Sequence, residues 1–161
     1  MRTDGACAGK AEEANRRVMG MKNGMWEVIL QEEEPEGAYY CPYSSFVDYC
    51  HLMVRSKRRN DFSIILMFLT LGQGEKEDAA GAFEIQEQMQ ILKEALRDSL
   101  RAEDAYTQYG ERHFILMLAK ARKENCSLIF RRVEEAYVKR SGSGELWYYA
   151  DLTQELGNVE E

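Results

Sequence analysis

The run Phe62-Ser63-Ile64-Ile65-Leu66-Met67-Phe68-Leu69-Thr70-Leu71 is apolar almost without alternation, and it limits the folds open to this chain more than any other stretch. An extended segment with one wet face alternates apolar and polar side chains, so a run that does not alternate reads as a strand covered on both faces. It has about half the length that a membrane-spanning helix requires. The chain is therefore read as soluble, with this run as the central strand of a sheet. A length of 161 residues, 45% of them hydrophobic, allows one domain with a real core.

A second extended segment follows from alternation about Tyr109-Gly110-Glu111. Phe114, Leu116 and Leu118 fall on one face of a strand, and His113, Ile115 and Met117 on the other. With Gly110 available for a positive φ, this reads as a β-hairpin. Before it, Ile85, Met89, Leu92, Leu96 and Leu100 form one stripe of a helix that runs to Arg101.

The remaining elements are placed by the same periodicities. Met1 to Glu13 has no clear period and reads as a poorly ordered lead. Val18, Met21, Met25, Trp26, Ile29 and Leu30 favour a helix from Asn15 to Gln31, with a strand over Trp26 to Gln31 left open because of Gly20 and Gly24. Glu32-Glu33-Glu34-Pro35-Glu36-Gly37 is a linker, which divides the chain into residues 1–36, a domain over 37–152 and an acidic tail over 153–161. Tyr39 to Cys41 reads as a short extended piece, and Pro42 with Ser44 or Ser45 begins a helix bearing Phe46, Tyr49 or Cys50, Met53 and Val54. Asn60-Asp61 breaks it, and Gly72 to Gly81 is a loop. Asn125 is positioned to cap a last helix whose inner face is Ile129, Val133, Ala136 and Tyr137. After the turn Ser141-Gly142-Ser143-Gly144, a strand over Leu146 to Leu152 closes the domain.

Without the leading helix the order is βαββαβ, the ferredoxin-like core, in an α+β fold with helices covering one face of a mostly antiparallel sheet. Arg101, then Asp104 three residues on, then five residues to Gly110-Glu111-Arg112-His113-Phe114 and an apolar strand resembles the signature region of GGDEF domains, the diguanylate-cyclase branch of the nucleotidyl-cyclase fold. That fold is built on the same core. Gly37-Ala38-Tyr39-Tyr40-Cys41, Phe46-Val47-Asp48-Tyr49, the basic helix end and Ser99-Leu100-Arg101 through Leu118 are similar to the C-terminal cyclase-like domain of some bacterial transcriptional regulators. Those relatives carry a winged-helix or bacterial transcriptional activator domain upstream.

The resemblance implies an acidic residue near the end of the first core strand and another at the third signature position, both serving metal-bound GTP. Here the strand end offers Phe68, Leu69 and Thr70, and the third position is Arg112, whose guanidinium has donors and no acceptor for Mg²⁺. Glu111 stands where a second glycine lets backbone approach the nucleotide, and His113 replaces the signature glutamate. The Gly72 to Gly81 loop stands where the family has a helix with an Asn-Asp pair. The expectation is a degenerate signature with no catalytic residue, no metal and no cofactor, hence no enzyme.

Arg101 and Asp104 also match the RxxD pattern that forms the inhibitory cyclic di-GMP site in many GGDEF domains. This implies a cyclic dinucleotide as a possible ligand, while capping and ion pairing give the same two residues a structural role. His113 reads as a solvated hairpin-tip residue, and His51 as a surface or half-buried one.

A net charge of −7 opposes a nucleic-acid surface, and the one dense basic run, Arg55, Lys57, Arg58 and Arg59, reads as a solvated helix end. Cys7, Cys41, Cys50 and Cys126 show no metal-ligand spacing, only two histidines accompany them, and no signal sequence opens the chain. Thiols kept reduced in the cytoplasm follow. The function expected is a regulatory or interaction module acting by dimerisation or signal relay, its partner a second copy or another domain of a regulator, with no direct nucleic acid and no membrane. The alternative is a receptor for cyclic di-GMP or another nucleotide through Arg101 and Asp104.

Overall fold

The computed structural model describes residues 5–30, 37–72 and 79–151. The chain divides into two compact units, Met1–Pro35 and Glu36–Glu161. The first holds one helix, α1 (Gly5–Leu30), which begins well before Asn15 and corrects the expectation of a loose lead. Ala6, Ala8, Ala11, Glu12, Glu13 and Ala14 are strong helix formers and outweigh Gly5 and Gly9. Trp26 to Leu30 is helical too, so the open strand alternative is not adopted.

In the second unit the elements are β1 (Tyr39–Tyr40), α2 (Tyr43–Asn60), β2 (Ile64–Leu71), α3 (Ala79–Ser99), β3 (Ala105–Gln108), β4 (His113–Ala119), α4 (Cys126–Lys139) and β5 (Leu146–Asp151). One sheet runs β1-β3-β4-β2-β5. The β1–β3 pair is parallel and the others are antiparallel. From β2 to β5 the order is βαββαβ, a ferredoxin-like α+β core, with β1 added at one edge and α2 before it.

Two expectations about the sheet are corrected. The central strand is β4, and the run headed by Phe62 supplies its neighbour β2, between β4 and β5. Both strands are paired along both edges, so composition alone does not rank them. Helices also cover both faces rather than one. Met89, Leu92, Leu96 and Leu100 of the α3 segment and Val133 and Tyr137 of α4 pack with Ile65, Met67, Leu69, Phe114, Leu116 and Leu118. On the opposite face Phe46 of α2, with the half-buried Tyr49, Cys50, Met53 and Val54, packs with Ile64, Ala105, Ile115 and Met117. That second layer is why β2 can dispense with polar alternation.

Helix ends differ from the sequence reading in detail. α2 stops at Asp61, which takes the left-handed conformation at φ 48° and donates its N–H to the Lys57 carbonyl, leaving Lys57, Arg58 and Arg59 in the last turn, where cations suit the helix dipole. α3 ends at Ser99, two residues before Arg101. Asn125 makes no side-chain cap for α4, because a 3₁₀ turn over Lys123–Asn125 already holds its backbone at φ −93°, ψ −12°, outside the extended region a capping residue needs. α3 begins at Ala79, so the loop expected to run to Gly81 is shorter than its composition suggests. Residues 31–36, which hold the linker except Gly37, residues 73–78 of that loop, Leu152 and the tail over 153–161 lie outside the described residues. Among the described residues no helix is long and apolar enough to cross a membrane.

Candidate functional site

Register alone brings the end of β2 to the β3–β4 hairpin, since Thr70 faces His113 across the antiparallel pair. The hairpin turns at Gly110, whose φ of +80° favours a residue without Cβ. Tyr109 N–H donates to the His113 carbonyl at 2.8 Å, and Gln108 Nε2 donates to the Gly110 carbonyl at 3.1 Å. The Tyr109 ring lies 5.3 Å from the ring of Tyr43, which ties the tip to the start of α2.

The five signature residues then separate. Gly110 makes the turn, Glu111 is exposed, and Phe114 is fully buried in the core beneath α3. Half-buried Arg112 reaches back to β2, where its Nη1 donates to the Gly72 carbonyl at 3.2 Å while its own carbonyl accepts from Leu71 N–H at 2.8 Å. Exposed His113 places Nδ1 2.9 Å from Thr70 Oγ1. Spacing in the sequence does not reveal Arg112's partner, which lies 40 positions earlier.

These residues do not suit a magnesium-bound triphosphate. Magnesium takes hard oxygen ligands in tight octahedral geometry. The Gly72 carbonyl is taken by a cation and the Thr70 hydroxyl is paired with His113. Among the described residues no three His, Cys, Asp or Glu side chains are grouped as metal ligands would be.

Arg101 and Asp104 are joined, but through the backbone. Asp104 is 5% exposed, and its Oδ2 accepts Arg101 N–H at 2.9 Å while Oδ1 accepts Ala119 N–H at 3.0 Å. Burial pushes its carboxyl above the ordinary aspartate value, against the two N–H bonds and the Arg101 charge, which favour the anion. The Arg101 guanidinium is at the surface, 3.7 Å from Glu103. Asp104 thus closes the α3–β3 loop onto β4, and the two side chains do not form a common grip. His51 is exposed on α2. Cys126 is buried, its thiol donating to the Arg122 carbonyl at 3.8 Å, and burial, with Cys41 as a neighbour, pushes Cys50 up to about 11, which suits a packing residue and not a nucleophile.

The fold so described is that of diguanylate cyclase GGDEF domains. A DGC (diguanylate cyclase) protein from Thermotoga maritima superposes with a TM-score of 0.50 at 17% identity, over 76% of this chain and 88% of that one. The diguanylate cyclase SiaD of Pseudomonas aeruginosa, solved in complex with its activator SiaC, superposes with a TM-score of 0.53 at 16% identity, over 90% of this chain. This chain spans 58% of SiaD's length. No family model and no curated protein matches the sequence.

Proposed function

We propose that this chain is a non-catalytic module on the diguanylate-cyclase fold, kept for dimerisation or signal relay within a bacterial signalling or transcriptional regulator in the cytoplasm. The observation that carries the reading is the Arg112 guanidinium bound to the Gly72 carbonyl at the end of β2, the strand end that bears Thr70 and Leu71. A donor-only cation occupies the place where phosphoryl chemistry needs metal-binding oxygen. The signature's other changes, Glu111 and His113, supply no compensating nucleophile or acid pair. The apolar framework beneath is complete, from Phe114 inward, so what is retained is the scaffold. That SiaD is found in complex with an activator protein supports a fold that also serves as a docking body.

The test is incubation of purified protein with GTP and Mg²⁺. Neither pyrophosphate nor cyclic di-GMP is expected to form, and turnover that is lost on unfolding the protein would overturn the reading. The alternative through Arg101 and Asp104 is checked by calorimetry with cyclic di-GMP. No heat is expected, because the Asp104 carboxylate already accepts two backbone N–H groups.

A further inference from the structure

Among the described residues the outer edge of β5 faces no strand, since β5 is last in the sheet order. An open edge presents unpaired backbone N–H and C=O groups, and proteins ordinarily blunt it with Lys, Pro or a bulge. β5 reads Leu146-Trp147-Tyr148-Tyr149-Ala150-Asp151 and has none of these. It pairs with β2 in unbroken register from Leu71↔Leu146 to Leu66↔Asp151.

In their place the strand displays rings. Trp147 is 61% exposed, Tyr148 39% and Tyr149 69%. Pairing with Thr70 and Phe68 puts Trp147 and Tyr149 on the face that carries α2. The Phe68 ring lies 6.2 Å from Tyr149 and is itself only partly buried. Tyr148 points to the other face, its ring 4.5 Å from Phe130 of α4. Trp147 and Tyr149 side by side on one face, with Tyr148 between them on the other, line both sides of this edge with exposed apolar surface of the kind that marks an interface.

We propose that β5 is the surface on which a second copy of this chain docks, β5 against β5 and antiparallel, across a two-fold axis at Tyr148. This rests on the dimerisation reading above and names its surface. The register follows from the rings. With the axis at Tyr148, Trp147 stands opposite the partner's Tyr149, the α2 faces of both copies are continuous, and the exposed aromatics of both copies cover one another as cross-strand pairs. A shift by one residue would set Trp147 opposite the partner's Ala150 and turn each patch to the opposite face of the joined sheet. At ~150–250 Å² per aromatic side chain, the exposed parts of the three rings come to roughly 250–420 Å² a copy. Both copies together bring roughly 500–850 Å² of ring, and the paired strand edges add to this toward the ~1,000 Å² that a specific interface requires.

The full chain is to be measured by sedimentation velocity, alone and as two variants. Tyr148→Cys puts two thiols across the axis, where opposed Cβ atoms lie about 4.5–5.5 Å apart, and it is expected to form a disulfide-linked dimer on mild oxidation that the unsubstituted chain does not form. The double variant Trp147→Lys, Tyr149→Lys sets like charges opposite each other and is expected to weaken self-association about 100-fold or more with an unchanged circular dichroism spectrum. Dimers that persist in the double variant and leave Tyr148→Cys uncrosslinked would overturn the β5 interface while leaving the dimerisation reading standing. A chain that stays monomeric at every concentration reached would overturn both.

Discussion

Asp104 and Thr107 are both buried polar residues on or beside β3, and their hydrogen bonding separates them. Asp104 accepts two backbone N–H groups, so Asp104→Asn would turn an amide donor toward one of those donors. The expected cost is about 1–3 kcal/mol, read as a lower urea midpoint. Its pH dependence has a definite sign. The folded-state carboxyl titrates above the ordinary value of 3.8, chiefly through burial. The folded chain therefore binds more protons at this site than the unfolded chain in the interval above 3.8, and the site's share of stability falls as pH rises through it. Asp104→Asn should remove that component, so equal pH slopes in the two proteins would refute the assignment. Thr107 is 1% exposed and its Oγ1 has no hydrogen-bond partner among the described residues. Thr107→Val keeps the shape and removes the unpaired hydroxyl, and should stabilise the fold by about 1 kcal/mol. A loss of stability on urea titration would show that the hydroxyl is satisfied.

At the level of elements, what the sequence could show depended on whether the deciding partner was local. The α3 stripe, the hairpin faces about Gly110 and the inner face of α4 are set by period, and each packs as its period requires. The rank of β2 beside β4 and the α2 layer depend on strand pairing between distant segments, which periodicity does not encode. The signature spacing was legible and its contacts were not, because Arg112 meets Gly72 and Asp104 meets Ala119 only once the sheet has formed. Gly37 is another such place. It holds φ +83°, and a Cβ there would fall on the Arg97 carbonyl oxygen, the group that accepts Ala38 N–H at 3.0 Å. Gly37→Ala therefore meets both backbone strain and a clash at the start of β1, and should cost about 2 kcal/mol or more. Faster amide exchange at Tyr39 and Cys41, which donate to Asp104 and Tyr106, would locate the damage in the β1–β3 contact, and unchanged exchange there would refute it.

For the whole molecule, the question is how the stabilising burial is shared between the two units. Both buried clusters draw every described member from Ala38 onward, and the larger spans α3, α4 and the sheet. Among the described side chains of α1 none is buried, and Met25, Trp26, Val28, Ile29 and Leu30 are exposed. An isolated helix gains little from propensity alone, since most helical stability in proteins comes from packing an apolar face. Removing residues 1–35 should therefore leave the cooperative unfolding of the remainder almost unchanged. A melting midpoint within about 2 °C of the full chain is expected, because a shift of about 2–4 °C already corresponds to 1 kcal/mol in a domain of this size. The measurement is a pair of thermal melts at matched protein concentration, since self-association at β5 would otherwise shift both midpoints by mass action. A fall well beyond that range would mean that residues 1–35 stabilise the folded unit, and would refute the expectation.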